Sequence, residues 1–185
     1  MKKICIFGTY KNLPREEKED IIKLGKLLAE NGIIVVSGGF GGVMEDVSRG
    51  AKLGGGKTIG VTYYRDEELP YKRTNEFIDD EIKTKDIFER ISVMMKISDG
   101  FIILQGGTGT LLELAAVLEH INKGMFPPKP IIAIGDFWKG LVKNLDNEQL
   151  LSIEARKKLN MAKCSGLVTF VKNADEAVKR ILERI

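Results

Sequence analysis

A carboxylate in the first turn of a helix, just behind a glycine-rich turn, can reach a phosphorylated ligand held at that helix's N-terminus. Residues 105–113, Gln-Gly-Gly-Thr-Gly-Thr-Leu-Leu-Glu, have this form, with Glu113 as the carboxylate. Helix N-termini attract anions because their first N–H groups are unpaired and carry the positive end of the helix dipole, and glycine lets a ligand come close to that backbone. Thr110 and Glu113 also satisfy the S/T-x-x-E capping box, in which the glutamate merely closes the helix end. The segment by itself favours the capping role. Two further turns follow apolar runs, Gly8-Thr9 and residues 37–42, Ser-Gly-Gly-Phe-Gly-Gly. One such turn is ordinary loop chemistry; three together point to a nucleotide phosphate.

Several chemistries are excluded or disfavoured. The P-loop spacing G-x-x-x-x-G-K-[ST] is absent, and no G-x-G-x-x-G is followed by an acid about 20 residues later. With one histidine, His120, a Ser-His-Asp triad is a remote prospect. Cys5 and Cys164 lie far apart and outside any C-x-x-C or Cys/His cluster, so neither a metal site nor a redox pair is expected. The 185 residues carry a net charge of +3, from 29 Lys+Arg and 26 Asp+Glu in mixed-sign segments. That is not the clustered basic face of a nucleic-acid binder. No apolar run approaches the ~18 residues of a membrane span, and residues 4–7 are too short for a signal-peptide core. A cytoplasmic protein of one domain, residues 1–185, is expected.

The elements that must position these turns alternate between strand and helix. Short apolar runs at 3–7, 33–36, 57–61, 101–104, 131–134 and 167–171 read as buried strands, with a further one at 76–82. Helices are expected after Pro14 with the stripe Ile21, Leu24, Leu27 and Leu28, then at 43–53, 86–98, 111–123, 137–145 and 153–159, and after Asn173. Residues 62–74, with Tyr63, Tyr64 and Tyr71, read as a surface excursion. Nearly all-apolar strands between helices imply one parallel sheet covered on both faces, a doubly wound Rossmann-like α/β fold. Ligands of such folds bind at the carboxyl ends of the strands where the strand order reverses, which would gather the glycine turns into one crevice.

The motif G-G-x-G-T-x-x-E after an apolar strand, with an arginine on the preceding helix, resembles the Lonely Guy family of nucleoside 5′-monophosphate phosphoribohydrolases, formerly labelled lysine decarboxylase-like. Ser37, Gly38, Gly39, Gly41 and Met44 resemble the family's second glycine turn. Asp86, Arg90 and Met94, followed by residues 98–102, resemble its helix-to-strand passage. The resemblance covers nearly the whole chain. It implies hydrolysis of the N-glycosidic bond of AMP or a modified purine nucleotide to free base and ribose 5-phosphate, with neither metal nor organic cofactor, in a homodimer. Arg90 and Glu113 match the catalytic positions. Gly106, Gly107, Gly109 and Thr110, with Thr108 beside them, match the phosphate and ribose positions, and Gly8, Thr9 and the second turn complete the substrate site. Asp86, one turn before Arg90, would orient it, and Leu111, Leu114, Ala115, Leu118 and Ile121 would supply the face on which two copies pair or a face that covers the sheet. The sequence departs from the family at Gln105 (commonly Pro), Ile91 (commonly Lys) and Phe88 (commonly His). Relatives with the same fold and motif include molybdenum-cofactor carriers, which bind without chemistry.

Overall fold

The computed structural model describes residues 1–63, 74–148, 157 and 163–185. Seven strands form one sheet: β1 (Lys3–Phe7), β2 (Ile34–Ser37), β3 (Thr58–Tyr63), β4 (Asp80–Thr84), β5 (Gly100–Ile103), β6 (Ile131–Ile134) and β7 (Val168–Val171). Their order is β4-β3-β2-β1-β5-β6-β7, and every pairing is parallel. The helices α1 (Arg15–Glu30), α2 (Val43–Leu53), α3 (Ile87–Ile97), α4 (Thr108–Asn122), α5 (Lys139–Glu148) and α6 (Ala174–Leu182) cover it. Successive strands run outward from β1 to β4; the chain then returns to β5 on the other side of β1. The carboxyl ends of β1 and β5 are therefore the point of reversal, as expected for a doubly wound sheet.

Each face of the sheet has its own apolar layer. One is built from side chains such as Phe7, Phe101, Met94, Leu114 and Leu118, the other from Ile4, Leu24, Leu28, Val47 and Ile181. On the second face α1 and α2 cross with their backbones in close approach, because a Cβ at Gly25 would lie 2.0 Å from the Val47 carbonyl oxygen and one at Gly50 would lie 1.9 Å from that of Ile22. The predicted α1 stripe faces inward, with Ile21, Leu24 and Leu28 buried. α2 has the bounds the sequence implies, since Gly42 and Gly54 stop it at both ends.

The differences from the sequence expectations have local causes. β4 lies at residues 80–84, later than the run at 76–82, because it is an edge strand with Asp80, Glu81 and Lys83 and carries no apolar pattern to read. Thr62 and Tyr63 belong to β3, not to the excursion; residues 64–73, with Tyr64 and Tyr71, and the helix expected at 153–159, save Lys157, lie outside the described residues. α4 starts at Thr108, three residues before the apolar stretch, because its first turn is made of threonine and glycine, which are weak helix formers. Leu114, Leu118 and Ile121 of the expected pairing face are buried in the chain's own core, while Ala115 is exposed. Among the described residues no helix is long and apolar enough to cross a membrane.

Candidate active site

The loops that leave β1 and β5 are tied together at the point of reversal: Leu104 N–H donates to the Phe7 carbonyl (2.9 Å) and Thr9 N–H to that of Gln105 (3.0 Å). Trp138 braces the second loop by donating its Nε1–H to the Leu104 carbonyl at 2.8 Å. Above this junction lies a cavity of about 840 Å³, within the range of small-molecule sites. Its walls include Gly8 and Thr9 from the β1 loop, Gly106, Gly107, Thr108, Gly109 and Thr110 from the start of α4, and Met44, Arg90 and Glu113. These expected site residues converge on one space.

Glu113 and Arg90 form its buried charged pair, exposed to only 7% and 6%. Arg90 Nη1 donates to Glu113 Oε1 at 3.3 Å, Nε donates to the Val61 carbonyl at 2.7 Å, and Nη2 lies 3.8 Å from the Met44 sulfur. The rings of Phe40 and Tyr63 stand 5.5 and 5.7 Å from the guanidinium carbon, a cation–π arrangement. Burial pushes the Glu113 carboxyl up to about 7, against the opposing pull of Arg90. A buried carboxyl of that kind changes protonation near neutrality and is a recurrent mark of catalytic sites.

The capping-box role of Glu113 is not realised. The N-cap of α4 is Gly107, so Glu113 lies in the helix body with its carboxylate on Arg90. Asp86 does not orient Arg90 either: it caps α3, accepting from Phe88 N–H at 2.9 Å and Glu89 N–H at 2.8 Å. An aspartate one residue before a helix, with Glu89 reaching back to Lys85 N–H at 2.7 Å, is a capping signature that the sequence already carried.

Residues 1–162 match the SLOG cluster4 family. The chain belongs to that family. The rice (Oryza sativa subsp. japonica) cytokinin riboside 5′-monophosphate phosphoribohydrolase LOG is 30% identical across 84% of this chain, which spans 66% of the rice protein's length. An Arabidopsis thaliana cytokinin riboside 5′-monophosphate phosphoribohydrolase is 29% identical across 98% of this chain and 82% of its own. Among solved structures, a Moco carrier protein from Chlamydomonas reinhardtii superposes with a TM-score of 0.64 at 26% identity, covering 98% of both chains.

In this SLOG-family site, Ser37, Gly38, Gly39 and Gly41 do not line the cavity among the described residues; the turn sits behind Arg90 and sends only Phe40 into the space. The lining residues that sequence reasoning missed come from loops and a strand end: Tyr10, Lys11, Asn12 and Leu13 after β1, Phe40, Tyr63 at the end of β3, and Phe137 before α5. Lys11 adds a cation that makes no ion pair among the described residues. Ile87 and Gln105 also reach the wall. The four-residue run Tyr10–Leu13 directly behind Gly8-Thr9 was the available signal, since residues that follow a strand's carboxyl end face the crevice. Among the described residues no cluster of His, Cys, Asp and Glu has the form of a metal site.

Proposed function

We propose that this protein hydrolyses the N-glycosidic bond of a nucleoside 5′-monophosphate, AMP or a modified purine nucleotide, to the free base and ribose 5-phosphate. The observation that carries this reading is the buried Glu113–Arg90 pair, which opens into a cavity whose neighbouring wall is the glycine-lined N-terminus of α4. The phosphate is assigned to that N-terminus, at Gly106, Gly107, Thr108, Gly109 and Thr110, with Lys11 adding positive charge. A Cβ at Gly107 or Gly109 would meet nothing within 4 Å. The protein's own packing therefore does not require glycine there, whereas a ligand seated on the backbone would.

The ribose then extends toward Glu113. Departure of the base leaves positive charge on the sugar's C1′ and ring oxygen, and the Glu113 carboxylate stabilises it or activates the water that attacks. Water supplies the new C1′ hydroxyl and a proton ends on the base. Arg90 fixes the carboxylate and donates to the phosphate or ribose. The carboxylate is the working form, so kcat/KM rises with pH through about 7. Both plant relatives carry phosphoribohydrolase names, which supports the same reaction class. We further place the protein in the cytoplasm as a homodimer, which sedimentation velocity tests.

The test is incubation with AMP, GMP, IMP, CMP and an N6-substituted AMP, with free base followed by chromatography, for the wild type and Glu113→Gln. Release from a nucleotide, lost in the variant while nucleotide binding persists, supports the hydrolase. A second reading, a carrier that binds a nucleotide or the molybdenum cofactor without chemistry, is favoured by the likeness to the Chlamydomonas carrier and by Ile91, buried where the Lonely Guy family has lysine. Saturable nucleotide binding with a raised Tm and no base release would select it.

A further inference from the structure

The Ser37–Gly39 backbone, which composition alone groups with the phosphate turns, is directed at the protein itself. Gly39 N–H donates to Ser37 Oγ at 3.1 Å. Asn75 anchors the other side: its backbone N–H (2.9 Å) and Nδ2 (3.2 Å) both donate to the Gly39 carbonyl, and Nδ2 also donates to that of Phe40 at 2.9 Å. Gly39 has φ +75°, and a Cβ there would lie 3.2 Å from the Gly60 Cα, so the turn is pressed onto β3 as well. The segment is held from both sides with Gly38 facing the Arg90 guanidinium.

We propose that Gly38 is a positioning residue whose missing side chain makes the space in which the Arg90 guanidinium lies against Glu113. A Cβ at Gly38 would lie 1.5 Å from Arg90 Nη2, 2.7 Å from its Cζ and 2.7 Å from the Met44 sulfur. The guanidinium thus rests on bare backbone, with Val61 accepting from Nε and the Phe40 and Tyr63 rings beside it. Gly25 and Gly50 show the contrast, because added methyl groups there would strike backbone carbonyl oxygens. At Gly38 the obstruction consists of side-chain ends, which can move. The consequence of Gly38→Ala is a displaced Arg90 in a sheet that otherwise keeps its form, and Glu113 loses the cation that holds its carboxyl down.

The catalytic meaning of this assignment rests on the proposed hydrolase, but its test needs no turnover. Wild type, Gly38→Ala, Arg90→Ala and the double variant are compared by Tm, and the Glu113 carboxyl is titrated by carbon NMR in wild type and Gly38→Ala. The expected Tm loss from Gly38→Ala is roughly 2–8 °C in the wild-type background, from overpacking, and less than half of that when Arg90 is already alanine. The Glu113 midpoint moves upward in Gly38→Ala, a shift that a purely structural glycine would not produce. An equal Tm loss in both backgrounds, or an unmoved Glu113 midpoint, overturns the assignment. Should Gly38→Ala alone not fold, the double variant decides: a folded Gly38→Ala/Arg90→Ala protein supports it and an unfolded one overturns it. Failure to release base from any nucleotide would sink the hydrolase and leave both readouts intact.

Discussion

The turns at residues 37–42 and 105–110 share a Gly-Gly-x-Gly core and face opposite ways. After β5, Gly107 and Gly109 leave empty space above the start of α4, and both line the cavity. After β2, Gly38 abuts Arg90 and Gly39 abuts β3, while Asn75 takes up the carbonyls of Gly39 and Phe40. Glycine can thus be kept to admit a ligand or to admit another side chain, and composition does not separate the two. What separates them is the neighbour that a Cβ would meet. The turn after β5 opens onto the cavity; the turn after β2 makes a seat for the residue that holds the carboxylate.

The largest expected effect sharpens the division at the carboxylate itself. Glu113→Gln should lower base release by about 10²–10⁴-fold while nucleotide binding, measured by calorimetry, persists, because the α4 turn is untouched. Next comes pH. Glu113 moves from an ordinary 4.5 to about 7 on folding, so the folded state binds this proton more tightly than the unfolded one. Its stability is full below about pH 4.5 and declines as pH rises toward 7, by about 3 kcal/mol in all. Glutamine does not titrate, and the Tm of Glu113→Gln relative to wild type should therefore climb between pH 5 and pH 8. A constant difference would show that Glu113 is not buried as described.

Smaller effects bear on the two turns directly. Asn75→Ala removes the side-chain donor shared by the Gly39 and Phe40 carbonyls, while the backbone N–H bond to Gly39 stays, and should cost about 1–3 kcal/mol, read as a lower Tm, with nucleotide affinity within threefold of wild type. A tenfold loss of affinity would mean that this turn, too, faces the ligand. Gly109→Ala should do the reverse: it improves helix propensity by up to about 1 kcal/mol and so leaves Tm equal or slightly raised, yet weakens nucleotide binding. A fall in Tm with binding intact would break the comparison.

The doubly wound fold was legible because strands buried on both faces appear as unbroken apolar runs, and because glycines bound α2 so sharply. β4 was misplaced because an edge strand facing solvent needs no apolar alternation. That Arg90, Glu113 and the α4 turn would meet in one crevice was legible, the arginine only through family resemblance. The capping place of Asp86, and the position of Ser37, Gly38, Gly39 and Gly41 outside the cavity wall, were not. Asp86 stands one turn from Arg90, a spacing that suits an ion pair, but at an N-cap the unpaired backbone N–H groups of the helix compete for the carboxylate and win. The cavity contributions of Tyr10, Phe40 and Phe137 depend on loop paths, which periodicity does not encode.

The pairing of β1 with β5 also bears on how the molecule comes into being. Lys3 N–H meets the Asp99 carboxylate across a sequence separation of 96, whereas the α1–α2 crossing joins neighbouring segments. Contacts of long span close late because their loop entropy must be met first. During synthesis the helical pair can consolidate while the remainder is still emerging, and the crevice exists only after the fifth strand has docked beside the first. A chain interrupted before that strand would retain the arginine and its glycine seat but have neither the α4 turn nor the carboxylate, and so no assembled crevice.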